Sequence, residues 1–304
     1  MPQSPHSLLP GTLEPLLRER SAAALAAGAL RPIETATHFI EEGGVRFLVR
    51  VVSNLARKAA SAGPDRSSPV LRRNPFLPYE EAMFVADLSP THVALLNKFN
   101  VIERHLLIVT RKFVHQETLL DQDDFHALGC CRAEFPSLGF YNGGAAAGAS
   151  QRHKHLQLVP LPLAPDGAAI PLEPLLMRAA AGGRGGVEQL ATLPFAHAFA
   201  PLDPGRDLRG ESSAREELAL YRACLARLGI EPVAAGGPAR QSAPYNLLLT
   251  RDWMLVVPRV RECCDGISIN ALGFAGSLFL RDVAQLRRVR ALGPMTLLRA
   301  VSGG

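Results

Sequence analysis

The sequence is poor in residues that mark several common functional classes. Aromatic residues make up 6% of it, with a single tryptophan, Trp253. Platforms for single-stranded nucleic acid need a succession of rings, so this composition argues against that class. Cysteine is also sparse: Cys130, Cys131, Cys224, Cys263 and Cys264. The number is odd, two pairs are adjacent and no C-x-x-C occurs, which speaks against a disulfide framework and against a zinc ribbon. Reduced thiols in a cytoplasm are the simple expectation, with no metal held by the protein. No apolar run is long enough to span a bilayer. The alanine-rich stretch Ala22 to Ala29 falls far short of the roughly 20 residues needed and lies beside Arg18, Glu19, Arg20 and Arg31. Met1 to Gly11 lacks the basic start and apolar core of a secretory leader. A strong excess of one charge is missing too. The net charge of +5 and pI near 9.2 suit a small polyanionic substrate but are too weak to argue for nucleic acid.

What the sequence does have is apolar content. Over 304 residues, 47% are hydrophobic, enough for one large domain or two modest ones. Thr12 to Leu30 reads as a helix with Leu13, Leu16, Leu17 and Leu25 toward a core, and Val45 to Val52 as a strand. Ala59 to Pro69 is a polar, Pro/Ser-rich loop opened by Lys58. Strands around Met83 to Ala86, His92 to Phe99 and Leu106 to Thr110, with a turn at Asp87 to Pro90, spell an antiparallel meander. Asp121 to Leu138 reads as a helix with Asp121 as N-cap and Phe125, Leu128 and Cys131 on one face. Pro160 to Pro174 is Pro-rich and Ala179 to Gly186 is Ala/Gly-rich. This shift in composition marks a boundary between a half spanning residues 1–175 and another spanning 187–304. The second half contains a helix at Ser213 to Leu228, a hairpin from Tyr245 to Val257 turning at Arg251-Asp252, and a basic C-terminal helix.

The chemistry concentrates in one stretch, Ser150 to Val159, entered from the glycine- and alanine-rich run Asn142 to Ala149. On a strand, side chains alternate faces and those two apart lie roughly 7 Å apart. His153, His155 and Gln157 then share one face, and Lys154, Leu156 and Leu158 the other. A neutral imidazole is a competent nucleophile, and its ordinary pKa near 6.5 leaves most of it neutral at cell pH. Glycines can turn backbone N–H groups toward a phosphate, and an amide side chain can donate to a phosphoryl oxygen without adding charge. Together these groups suit attack by histidine on a nucleotide phosphorus. Two other readings fit the spacing alone. The histidines could be a metal pair completed by a distant ligand, or the row could be a solvated strand face.

The signature His153-Lys154-His155-Leu156-Gln157 resembles the His-x-His-x-Gln of the nucleotidyltransferase branch of the histidine-triad superfamily. Galactose-1-phosphate uridylyltransferases have Pro between the histidines. Lys154, with the lead-in Gly148-Ala149-Ser150-Gln151, is instead similar to the ATP adenylyltransferases, also called diadenosine tetraphosphate phosphorylases. Asn74 to Glu80, Leu96 to Phe99, Arg104 to Thr110, Tyr245 to Thr250, Trp253 to Arg259 and Asn270 to Gly276 fit the same family in order, so the likeness runs from about Phe47 to about Arg281.

The resemblance implies an α+β fold of histidine-triad-like antiparallel sheets with flanking helices, in which two related halves form a pseudo-dimer and only the first keeps the histidines. It implies that His155 attacks an α-phosphorus of diadenosine tetraphosphate, that His153 orients it through a hydrogen bond, and that Gln157 and the backbone of Gly148, Ala149, Ser150 and Gln151 stabilise the phosphoryl oxygens. Lys58 would bind phosphate, Asn97 and Lys98 the nucleotide, and Asn142 the substrate. Asn270, Ala271 and Leu272 would hold the second nucleotide portion with Arg281, which stands where the family pattern has Lys. Phosphate would accept AMP from the histidine, giving ADP and ATP. No tightly bound cofactor is implied; Mg²⁺ would arrive with the nucleotide. The expected partners are nucleotides and phosphate, with neither nucleic acid nor membrane, in a monomer or weak oligomer. Transfer to a sugar phosphate, as in the uridylyltransferases, and a nucleotide-binding module without catalysis are the alternatives.

Overall fold

The computed structural model describes residues 7–53, 74–181 and 186–303. In chain order the elements are α1 (Leu13–Ala26), β1 (Thr35–Glu42), β2 (Val45–Val52), β3 (Phe84–Asp87), β4 (His92–Leu96), β5 (Leu106–Thr110), α2 (Gln122–Arg132), β6 (Ser137–Gly143), β7 (His155–Pro160) and α3 (Glu173–Ala180). There follow β8 (Ala198–Pro201), α4 (Glu211–Arg227), β9 (Pro232–Val233), β10 (Arg240–Gln241), β11 (Tyr245–Leu249), β12 (Trp253–Pro258), β13 (Cys263–Cys264), β14 (Ile267–Ser268), β15 (Ser277–Leu280), α5 (Val283–Leu292) and α6 (Pro294–Ser302).

An eight-stranded sheet in the order β3-β4-β5-β7-β6-β11-β12-β8 forms the frame, with every neighbouring pair antiparallel. Two units of the same plan meet at its centre. In each, a helix precedes a pair of adjacent strands: α2 before β6 and β7, α4 before β11 and β12. β6 pairs with β11, with Asn142 opposite Asn246, and α2 packs against α4 on one face of the sheet. The fold is therefore α+β and histidine-triad-like, with two related halves.

Strand alternation divides the core. Tyr141, Leu156, Leu158, Leu247 and Val256 belong to a cluster under α1, α2 and α4. Phe140, Val159, Leu248 and Leu255 belong to a second cluster on the opposite face. That second face is closed by a three-stranded sheet, β1-β2-β15, in which β15 runs parallel to β2. The C-terminal segment thus completes a sheet begun before residue 53.

Several sequence expectations shift in detail. The first helix ends at Ala26, and Leu25 is 54% exposed, not core. Leu13, Leu17 and Ala24 share the buried stripe, and Leu25 lies a further 100° round the helix. The helix expected over Asp121 to Leu138 stops at Arg132, and residues 137–143 are the central strand β6. Pro136 disfavours helical backbone at Phe135, and beyond it Leu138 and Phe140 face one core while Tyr141 faces the other. Gly139 lets α2 pack close on β6, since a Cβ there would stand 2.9 Å from a side-chain methyl of Leu128. Asp121 does cap that helix, in a reciprocal pair with Asp124. α3 starts at the end of the Pro-rich stretch after β7 and is anchored by the indole N–H of Trp253 donating to Glu173 at 2.8 Å.

Candidate active site

β7 begins at His155, and its alternation places His155 and Gln157 on the open face. Both line a cavity of about 420 Å³, within the ordinary range for small-molecule sites. The opposite face carries Leu156, Leu158 and the buried Lys154. The Lys154 ammonium donates to the carbonyl of Leu119 at 3.0 Å and pairs with Asp124 on α2. Asp124 also meets His92 at 3.1 Å. Although burial pushes its pKa up, Lys154 and His92 hold the Asp124 carboxyl well below its ordinary value. The charge between the two histidines therefore holds the strand from behind and does not reach the cavity.

The His155 ring is 5% exposed, and its Nδ1–H donates to the backbone carbonyl of His153 at 2.8 Å. That bond leaves the Nε2 lone pair free. Burial lowers the His155 pKa to about 4, against the backbone bond that raises it, so the ring is neutral. The orienting hydrogen bond thus comes from the main chain of His153, where the resemblance implied only that His153 supplies one. The His153 ring turns elsewhere. Its Nε2 faces the carbonyls of Thr110 at 2.8 Å and Lys112 at 3.1 Å, and its Nδ1 meets the Asn74 amide at 3.0 Å. Phe76 packs on both rings, with centroids 5.6 Å from His153 and 5.3 Å from His155.

Gln157 is aimed by a relay. The Asn97 amide donates to Nδ1 of His105 at 3.1 Å, and His105 Nε2–H donates to the Gln157 oxygen at 2.9 Å. Burial holds His105 near a pKa of 4, so it keeps one ring proton and serves as acceptor on one side and donor on the other. With its oxygen engaged, Gln157 turns its NH₂ toward the cavity. Asn142 is fixed in the same way. Its oxygen accepts from Asn246 Nδ2 at 2.9 Å and from the backbone N–H of Ala271 at 3.0 Å. Among the described residues its NH₂ has no partner, and Asn142 lines the cavity. Arg259, 2% exposed, stands behind Asn246 at 2.5 Å.

The lead-in loop closes the far wall. Gly148 has φ +90°, and a Cβ on it would lie 2.9 Å from Cβ of Asn270, so only glycine admits this approach. Gly148, Ser150, Gln151, Asn270 and Leu272 line the cavity. Ala149 donates its N–H back to Gly144 at 3.1 Å, and Ala271 sits behind the wall, fully buried. Asn97 and Lys98 lie at the mouth, where the Lys98 ammonium meets both oxygens of Glu80 at 2.6 and 2.8 Å. Arg281 is not brought to the cavity. It is exposed, with a guanidinium nitrogen 3.3 Å from the carbonyl of Gly266. Lys58 lies outside the described residues. Among those described, no group of three or more His, Cys, Asp or Glu is placed to hold a metal ion, and no helix is long and apolar enough to cross a membrane. His105, Gln116, Asn246 and Arg259 are the supporting residues that the sequence did not single out.

A neutral, oriented imidazole beside fixed amide donors is the equipment of a nucleotidyltransferase. The chain belongs to the Ap4A phosphorylase family: residues 3–178 match the Ap4A phosphorylase N-terminal domain, and residues 191–303 the ATP adenylyltransferase C-terminal domain. It is 26% identical over 310 residues to Protein APA1 of Saccharomyces cerevisiae, covering 90% of this chain and 88% of that one. It is 28% identical over 255 residues to diadenosine 5',5'''-P1,P4-tetraphosphate phosphorylase 2 of the same yeast, covering 74% of each. The crystal structure of yeast Ap4A phosphorylase Apa2 shares the fold, with a TM-score of 0.77 at 24% identity over 97% of this chain and 98% of that one.

Proposed function

We propose that the protein phosphorolyses diadenosine tetraphosphate to ADP and ATP through an adenylylated His155, and runs the transfer in reverse. The observation that carries this reading is the His155 ring itself: burial keeps it neutral, and its bond to the His153 carbonyl leaves Nε2 as the nucleophilic atom. The likeness to a yeast diadenosine tetraphosphate phosphorylase and to yeast Apa2, whose structure is known in complex with Ap4A, supports the choice of substrate. Nε2 attacks the phosphorus next to one adenosine. An N–P bond forms, the bridging P–O bond breaks, and ATP leaves. An oxygen of inorganic phosphate then attacks the same phosphorus, the N–P bond breaks, and ADP is released. The intermediate keeps the transfer potential that direct hydrolysis would dissipate.

Gln157 and Asn142 donate to the phosphoryl oxygens, with the backbone of Gly148 to Gln151. Lys98, drawn from Glu80, and Lys58 hold the flanking phosphates, and Asn97, Asn270 and Leu272 shape the nucleoside ends. Any Mg²⁺ rides on the polyphosphate. Residues 1–175 act as the catalytic half and 187–304 as its support. Pairing of β6 with β11 within one chain lessens the need for a second copy, which supports a monomer or weak oligomer. The free cysteines fit a cytoplasmic setting. The test is to mix the protein with adenine-labelled dinucleotide without phosphate, denature without acid and map the label. Label is expected on His155; turnover with label on another residue or none would reject the intermediate.

A further inference from the structure

β6 and β7 pair antiparallel from Ser137 opposite Pro160 to Phe140 opposite Gln157. Two residues further, the same register would set Asn142 opposite His155. The ladder does not reach that pair, because the side chain of Gln116 stands between the strands. Gln116 is 2% exposed. Its Nε2 donates to the carbonyls of Asn142 at 3.0 Å and His155 at 3.2 Å, and its Oε1 accepts from the N–H of His155 at 2.9 Å. The side-chain amide substitutes for a peptide unit in the ladder and leaves room where a direct pair would close.

The wedge is itself held. Gln116 N–H donates to the carbonyl of Arg152 at 2.7 Å, and its carbonyl accepts from the Tyr141 hydroxyl. On the outer sides, β6 is tied to β11 through Asn142 opposite Asn246, and β7 to β5 through His155 opposite Val109. Only the spacing between Asn142 and His155 is left for Gln116 to fix. The loop from Gly144 to Lys154 springs from that gap, and Asn142 and His155 both line the cavity.

The geometry points to Gln116 as a positioning residue for adenylyl transfer: its amide sets the separation between the nucleophile His155 and the phosphate donor Asn142. This inference rests on the proposed adenylyl-histidine reading. The chemistry demands glutamine. Two carbonyls need a donor and one N–H needs an acceptor, and only an amide supplies both at this length. Glutamate would turn an acceptor toward two carbonyls, and a buried carboxylate so placed takes up a proton more readily.

The experiment measures single-turnover transfer of labelled AMP from diadenosine tetraphosphate to His155, with AMP affinity measured by calorimetry, in wild type, Gln116→Met and Gln116→Glu. Gln116→Met keeps the volume and removes all three side-chain bonds. Its AMP affinity should stay within about threefold while transfer slows by about 100-fold, the cost of a misplacement near 1 Å. Gln116→Glu should gain at least about tenfold in transfer rate as pH falls from about 8 to 6, as the carboxyl regains a proton to donate, against less than about twofold for wild type. A Gln116→Met rate within about threefold of wild type, or Gln116→Glu and wild-type profiles that run parallel, overturns the inference. Should Gln116→Met not fold, the Gln116→Glu profile decides. Absence of label on His155 in wild type overturns the underlying mechanism; normal wild-type label with an unimpaired Gln116→Met overturns only the role of Gln116.

Discussion

The two halves join matching strand pairs by very different connections. β11 and β12 are joined by Thr250, Arg251 and Asp252, and their ladder runs without a break from Tyr245 opposite Pro258 to Leu249 opposite Met254. Trp253 N–H closes the turn onto the Thr250 hydroxyl at 3.2 Å. β6 and β7 are joined by residues 144–154, and their ladder ends early around the Gln116 amide. The complete ladder satisfies its backbone groups from within and leaves none for a ligand. The interrupted one gives up pairing at its tip and gains a cavity, an oriented imidazole and a glycine loop. The second half acts through supports instead: Asn246 and the N–H of Ala271 fix the oxygen of Asn142. One copy of the motif thus presents the cavity and its imidazole, while the other supplies the hydrogen bonds that hold Asn142 in place.

The largest expected effect comes from removing the reactive group of the first half. His155→Asn should lower phosphorolysis on the order of 10⁴-fold or more, with no label trapped on the protein and with nucleotide binding retained. Activity near wild type in a product assay would end the asymmetry between the halves. Next is the support. Asn246→Ala deprives Asn142 and Ala147 of a donor and the buried Arg259 of an acceptor. It should cost about 2–4 kcal/mol, a fall in Tm of roughly 3–6 °C in a thermal melt. A melting temperature unchanged within a degree would show that the second half does not brace the first.

Acidification should act on the first half through its two buried imidazoles. His155 and His105 have folded pKa values near 4 against an ordinary 6.5. Between those values the unfolded chain binds more protons than the folded one. The stability these rings contribute is therefore complete above about pH 6.5 and is lost as pH falls toward 4. Denaturant titrations at pH 7 and pH 4.5 should differ by a few kcal/mol; equal midpoints would mean the rings titrate normally. The smallest effect is expected at Arg281, which binds near Gly266 and not at the cavity. Arg281→Ala should change KM by less than about threefold. A tenfold rise would sharpen the comparison differently, by showing that the second half sends a side chain to the nucleotide.

How much of this could be read from the chain depended on the range of the interaction. The face shared by His155 and Gln157 followed from a period of two within five residues. The cap at Asp121 and the turn at Arg251-Asp252 were likewise local. Strand β6 escaped because seven residues without polar alternation, buried on both faces, look like the end of the preceding helix. The supporting amides escaped for another reason. Gln116 reaches His155 across 39 residues, His105 reaches Gln157 across 52, and Asn246 reaches Asn142 across 104. No spacing rule covers those distances: His105 and Asn246 stood inside family-like stretches without a visible partner, and Gln116 looked like an ordinary polar residue.

By itself, the sequence determined which groups are available for the proposed chemistry: an imidazole, an amide and a glycine run, in an order set by strand periodicity and by family-like motifs. Tertiary structure alone decided which nitrogen of His155 is free, which end of Gln157 and Asn142 faces the cavity, and how far apart the two strands stand. Those are choices of hydrogen-bond partner. A partner is chosen only when burial has removed water as a competitor and the fold has brought a donor and an acceptor from distant parts of the chain within about 3 Å of each other.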